Sequence, residues 1–272
     1  MLTSYLAITP EILLIILAAI VLVYGRHPEG DRKRGVGLFT SWGVFVILLV
    51  TVGLSFAGVP GNAPESLWGG LFRNDGITLV FRTMFLCAAL ITSLITVDVK
   101  RLQHGEFFAL VLLATVGFNL MAAASDIMLI YLALETASIS FYILAGFATD
   151  ERRSPEAGMK YFVYGAFASA VMLYGLSFLY GMSGHTNIYA LAAALGGAST
   201  NPLMILASVL VIAGFAFKVS AVPFHFWSPD VYEGAPISAT AILSTASKAA
   251  GFAIFLRIFM AGIFGPQTSE NW

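Results

Sequence analysis

Three ionisable side chains lie deep inside apolar stretches: Glu135 in LIYLALETASIS, Lys218 in FAFKVSAVP and Lys248 in LSTASKAAG. A charge at the centre of a membrane helix costs on the order of 2.5 to 3.5 kcal/mol, so such groups are normally paired or face a cavity. A carboxylate and an amine can also exchange a proton. Burial favours the neutral amine, an adjacent carboxylate favours the ammonium, and a change in their separation moves the balance. Carrying one charge across 100 mV costs about 2.3 kcal/mol, and one unit of pKa is worth about 1.4 kcal/mol. Shifts of a few units therefore suffice to move a proton. One acid with two lysines does not close as a simple ion pair, and the count favours a proton path over a purely structural pair.

The neighbours of these residues extend the pattern. Glu135 falls about two residues from the centre of its helix, roughly 3 Å from the midplane at 1.5 Å rise per residue, and Ser138 at i+3 shares its face. Ser244 at i−4 and Thr245 at i−3 are expected on the face of Lys248. A polar path and close packing of small residues both fit that string. Pro223 follows Lys218 by five positions, removes an amide donor and opposes the carbonyl of Val219, which predicts a broken helix with freed carbonyls beside the lysine. His225 stands just beyond the break as a further member of a polar path. Backbone opened at membrane depth is tolerated only where protein or water covers it. Arg82 and Arg257 lie nearer helix ends and are expected to snorkel to the outer interface.

The elements that must position these groups are read from composition. The 272 residues are 58% hydrophobic and 11% charged, against about 25% charged in a soluble domain. Windows of about 20 apolar residues are needed to cross a hydrocarbon core about 30 Å thick. Eight are found, near residues 8–24, 36–58, 77–97, 107–124, 126–148, 158–181, 202–222 and 237–263. The first has no basic segment before it and no convincing cleavage site, so it reads as a retained helix. Lys and Arg concentrate in the odd loops, at Arg26, Arg32, Lys33, Arg34, Lys100, Arg101, Arg152, Arg153 and Lys160, while the second, fourth and sixth loops hold only Arg73. That asymmetry places the odd loops in the cytoplasm, or in the matrix or stroma of an organelle, and the N-terminus outside. The Gly- and Pro-punctuated stretches GVPGNAPESLWGGLFRND and GMSGHTNIYALAAALGGASTN fall outside by the same rule, as lids or helix-end packing.

A net charge of −1 provides no basic field for nucleic acid. Cys87 is the single cysteine, so neither a disulfide nor a thiolate cluster forms within the chain. His27, His104, His185 and His225 fall at or beyond helix ends, which predicts no in-membrane haem pair and assigns any electron chemistry to other chains.

The run GFAFKVSAVPFHFWSPDVYEGAP followed by STASKAAG resembles subunit N of NADH-quinone oxidoreductase, the respiratory complex I homologue of mitochondrial subunit 2. RNDGITLVF, LALETASISFYILAGF and RRSPEAGMKYFVYGAFAS extend the resemblance over essentially the whole chain. Related antiporter-like subunits, including those of multisubunit sodium/proton antiporters, share the lysine, the proline and the PFH.W.P pattern, but differ where this chain has DVYEGAP. The resemblance implies an all-α polytopic fold whose residues 101–264 form the first repeat of an antiporter-like inverted-repeat architecture, a proton half-channel with a discontinuous seventh helix. Residues 1–100 form an N-terminal three-helix segment. The second repeat is absent, and residues 265–272 read as a truncated end. Glu135 is implied as partner of Lys218, with Lys248 passing protons toward the middle of the membrane. The chain itself is implied to hold no cofactor or metal and no redox centre. FMN and iron-sulfur clusters are expected in partner subunits, alongside related antiporter-like membrane subunits and lipid, in a bacterial cell (inner) membrane. A sodium/proton antiporter subunit and a structural helix bundle of the same complex are the alternative readings.

Overall fold

A computed structural model describes residues 2–26, 32–58, 67–196 and 201–260. His27, the stretch 265–272 and parts of the first, second and sixth loops lie outside the described residues. The elements are α1 Leu2–Ala7, α2 Thr9–Tyr24, α3 Arg32–Phe56, α4 Gly76–Thr96, α5 Gly105–Ala123, α6 Ile127–Ala145, α7 Arg153–Ser183, α8 Ile188–Leu195, α9 Pro202–Val219, α10 Trp227–Gly234, α11 Ile237–Ser244 and α12 Ala246–Met260. Among the described residues, seven segments are long and apolar enough to cross a membrane, the last being Ile237–Ile258. The chain is an integral membrane protein. The expected first span falls on α2, a 16-residue apolar helix that follows α1 after a single residue. The eighth window is found as the span Ile237–Ile258, interrupted at Thr245 (φ −109°, ψ −78°), which separates α11 from α12. Neither Pro nor Gly marks that second interruption.

Helix α5 occupies the centre, with 78% of its apolar window buried, and packs against α2, α4, α6 and α12. Its neighbours come very close. A Cβ on Gly117 would sit 2.7 Å from the backbone nitrogen of Ala137 on α6, so only glycine allows this approach. Without a hydrophobic driving force between helices in lipid, such close packing is what holds them together.

The two ends of the bundle are built differently. At the end carrying the even loops, helix starts are capped by side chains: Asp75 accepts from the Thr78 N–H, Asp126 from Met128, Asn187 from Tyr189 and Ala190, and Asn201 from Leu203. Each cap satisfies amides that have no partner inside the helix. Short bridges pair Phe72 with Ala124 and Asp126 with Asn187, and the Gly70 carbonyl accepts from both Ser125 Oγ and Asn187 Nδ2 at 2.8 Å. At the odd-loop end, α5, α7 and α11 start without a side-chain cap. Exposed ion pairs tie the loops there: Arg34–Asp98, Arg101 with Asp150 and Glu151, Arg153–Glu233, and Lys160 with Glu156 and Asp230.

Candidate proton-transfer site

The site forms where α9 stops. Helix α9 has ended by Val219, before Pro223, so the turn at Ser220 makes the break and the proline lies beyond it. Ser220 adopts φ +57°, ψ 39°. Its amide donates to the Phe217 carbonyl at 3.0 Å and that of Ala221 to the Ala216 carbonyl at 2.8 Å, the paired hydrogen bonds of a Schellman helix ending. The Trp227 indole, at the start of α10, donates to the Phe217 carbonyl at 3.3 Å. Lys248 Nζ reaches across from α12 to the Lys218 carbonyl at 3.2 Å. The carbonyls freed by the break are thus taken up by the protein, as membrane depth requires.

Lys218 is 2% exposed. Its Nζ donates to Ser138 Oγ on α6 at 3.1 Å, and that hydroxyl in turn donates to the Leu134 carbonyl at 2.7 Å. Ser138 therefore holds the ammonium as an acceptor, with its own proton committed to the backbone. Glu135 lies near enough for its charge to act on Lys218, but no ion pair joins them among the described contacts, and Glu135 Oε1 is buried without a hydrogen bond. Among the described contacts Lys218 is joined to α6 through Ser138.

Lys248 Nζ lies 2.5 Å from Ser220 Oγ and over the faces of Trp227 and Tyr232, at 4.4 and 5.8 Å from the ring centroids. Gly251, one turn on, brings α12 against α9: a Cβ there would meet Val219 Cγ1 at 2.7 Å and approach the Lys218 side chain. The two lysines therefore share one layer, held by oxygens and aromatic faces that carry no charge.

Other expected members stand apart. Ser244 and Thr245 donate to the Ala241 carbonyl at 3.2 and 2.7 Å. They do not join Lys248, because the interruption at Thr245 breaks the helix along which i−4 and i−3 would share a face. His225 packs on Phe226, and its Nδ1 is buried without a partner. Arg82 does not snorkel. It is 3% exposed, paired with Glu11 of α2 at 2.9 Å, and bonded to Asn74 at 3.1 Å. Arg257 is likewise buried, forking onto both Asp75 oxygens at 3.0 Å and onto the Ala122 carbonyl. Burial opposes the charged form of Asp75, but the Arg257 guanidinium and the Thr78 N–H and hydroxyl outweigh it and hold that carboxyl below its ordinary range. Sequence reasoning missed Glu11 and Asp75 as partners. The signals were an acid in the first turn of an apolar window and an Asp directly before one. It also missed Trp227 and Ser220, for which no comparable signal exists.

Residues 124–272, which hold the broken helix and all three ionisable groups, match the family described as NADH:quinone oxidoreductase/Mrp antiporter, TM. The chain is 43% identical over 269 residues to NADH-quinone oxidoreductase subunit N of Rhodospirillum rubrum, covering 97% of this chain and 54% of the relative. It is 41% identical over 266 residues to the subunit N of Desulfitobacterium hafniense, covering 97% and 53%. The chain thus spans about half the length of the curated relatives it matches. Respiratory complex I from Thermus thermophilus contains a chain of similar structure, with TM-score 0.74 and 32% identity over 92% of this chain and 53% of that one. A chain of the Mrp complex from Dietzia sp., with TM-score 0.75 and 22% identity over 97% of this chain and 49% of that one, shares the fold alone. By its matched residues, its relatives and its architecture, the chain belongs to the NADH:quinone oxidoreductase/Mrp antiporter transmembrane family.

Proposed function

We propose that the protein is a proton-translocating membrane subunit of an NADH-quinone oxidoreductase, in which partner subunits carry electrons from NADH to quinone and this chain moves protons. The observation that carries the reading is the layer formed by Glu135, Lys218 and Lys248, where the two amines are held by neutral oxygens and not by carboxylates. An amine held by uncharged groups can change its protonation state while its hydrogen-bond partners stay in place. Glu135, with a free buried oxygen, is the acceptor whose charge steadies Lys218, and Lys248 is the next station. The relatives at 43% and 41% identity bear the complex I subunit N name, which favours this assignment over the antiporter complexes.

In this reading residues 101–264 act as a proton half-channel, and FMN and iron-sulfur clusters reside in partner chains. Neighbouring antiporter-like subunits extend the route. The protein sits in a bacterial inner membrane with its odd loops in the cytoplasm and its N-terminus outside, a reading that the Arg and Lys distribution supports.

Replacing Lys218 by Met in the assembled complex tests it. Protons pumped per electron fall while the amount of assembled complex stays near wild type. Unchanged ratios would refute the relay. Co-purification with flavin and iron-sulfur subunits separates the redox complex from an antiporter assembly.

A further inference from the structure

Ser220 stands in a conformation that its residue type disfavours. Among the described residues only Trp68 and Ser220 have positive φ without being glycine. A left-handed residue closing a helix is most often glycine, because a Cβ crowds the following carbonyl there. Glycine would fit the backbone of this helix ending better than serine does. What serine adds is a hydroxyl, and that hydroxyl is engaged: it accepts from Lys248 Nζ at 2.5 Å. The remaining direct acceptor of Lys248 is the Lys218 carbonyl, on the same turn.

We infer that Ser220 is a positioning residue for Lys248. Its side chain holds the ammonium against the open end of α9, over Trp227, and so keeps Lys248 within reach of the Lys218 layer. The negative end of the α9 dipole points at the same ammonium and favours it there. The inference rests on the proposed role of Lys248 as a proton station and adds a residue whose backbone and side chain make opposite demands.

Those opposed demands supply the test. In the full complex reconstituted into liposomes, with assembly checked by native gel and proton uptake read by a pH-sensitive dye, Ser220→Gly relaxes the backbone and removes the hydroxyl. A purely structural Ser220 predicts equal or better pumping per assembled complex. A positioning Ser220 predicts a loss of about tenfold, the factor expected for one hydrogen bond to a charged group. Ser220→Asn, which tolerates the left-handed region and offers an amide oxygen, restores most of the rate. Wild-type pumping in Ser220→Gly beside a loss in Lys248→Ala overturns the role of Ser220 and leaves the proposed function standing. Loss in both Ser220→Gly and Ser220→Asn overturns it too, since an acceptor is then present without effect. Wild-type pumping in Lys248→Ala removes Lys248 from the relay and the role of Ser220 with it.

Discussion

Buried cations occupy two regions of this molecule, and they are treated in opposite ways. Near the even-loop end, Arg82 and Arg257 are each matched by a carboxylate, Glu11 and Asp75. At the break after α9, Lys218 and Lys248 are matched by a serine hydroxyl, a backbone carbonyl, a second serine and an indole face. The residue types agree with the partners. A guanidinium does not deprotonate in proteins, and its fork suits a carboxylate. An ammonium loses its proton when its surroundings demand it. The first region pairs each buried cation with a carboxylate, and the second holds its two amines by uncharged groups.

The difference is broken most strongly at the fixed pair. Arg82→Ala leaves Glu11, 1% exposed, without a counter-charge, and is expected to cost about 3 to 5 kcal/mol, read as a fall in thermal stability of the detergent-solubilised protein. The double change Glu11→Leu with Arg82→Met recovers most of that loss, because an apolar pair of similar volume replaces a buried ion pair at little cost. Ser138→Ala comes next. It takes the acceptor from the Lys218 ammonium at a cost of about 1 to 3 kcal/mol, whereas Lys218→Met leaves Ser138 bonded to Leu134 and destabilises less. Equal losses in the two variants would erase the contrast between held and balanced charge.

Acidification probes the fixed region more gently. The folded state holds the Asp75 carboxyl below its ordinary range, so the stabilisation is complete above that range and is lost as pH falls through it. The unfolding midpoint should drop on the acid side in wild type and less in Asp75→Asn. The smallest effect belongs to the exposed pairs of the odd-loop end. Asp230→Asn removes a partner of Lys160 that is itself largely exposed, and should change stability by less than about 1 kcal/mol, with the difference fading at high salt.

How legible this was in the sequence follows from what each feature depends on. Apolar length predicts the spans and Pro223 predicts a break, because both signals are local, although the helix ends at Ser220, ahead of the proline. Arg82 and Arg257 look like snorkelling residues in the sequence because their partners lie far along the chain, Asp75 and Arg257 being 182 residues apart. Ser244 and Thr245 share a face with Lys248 only in a continuous helix, which the turn at Thr245 denies. Ser220 carries no sign of positive φ, since its conformation is imposed by the helix ending around it.

Trp227 has a consequence of a different kind. Its indole lies directly under the Lys248 ammonium while its N–H is tied to the open end of α9. The emission of an indole depends on the charge standing over its ring. The sequence holds four tryptophans, of which Trp42 is 67% exposed. With the other three changed to Phe, the fluorescence of Trp227 would report whether Lys248 is charged and in place. Under the proposed relay, that emission would serve as an optical readout of the Lys248 station.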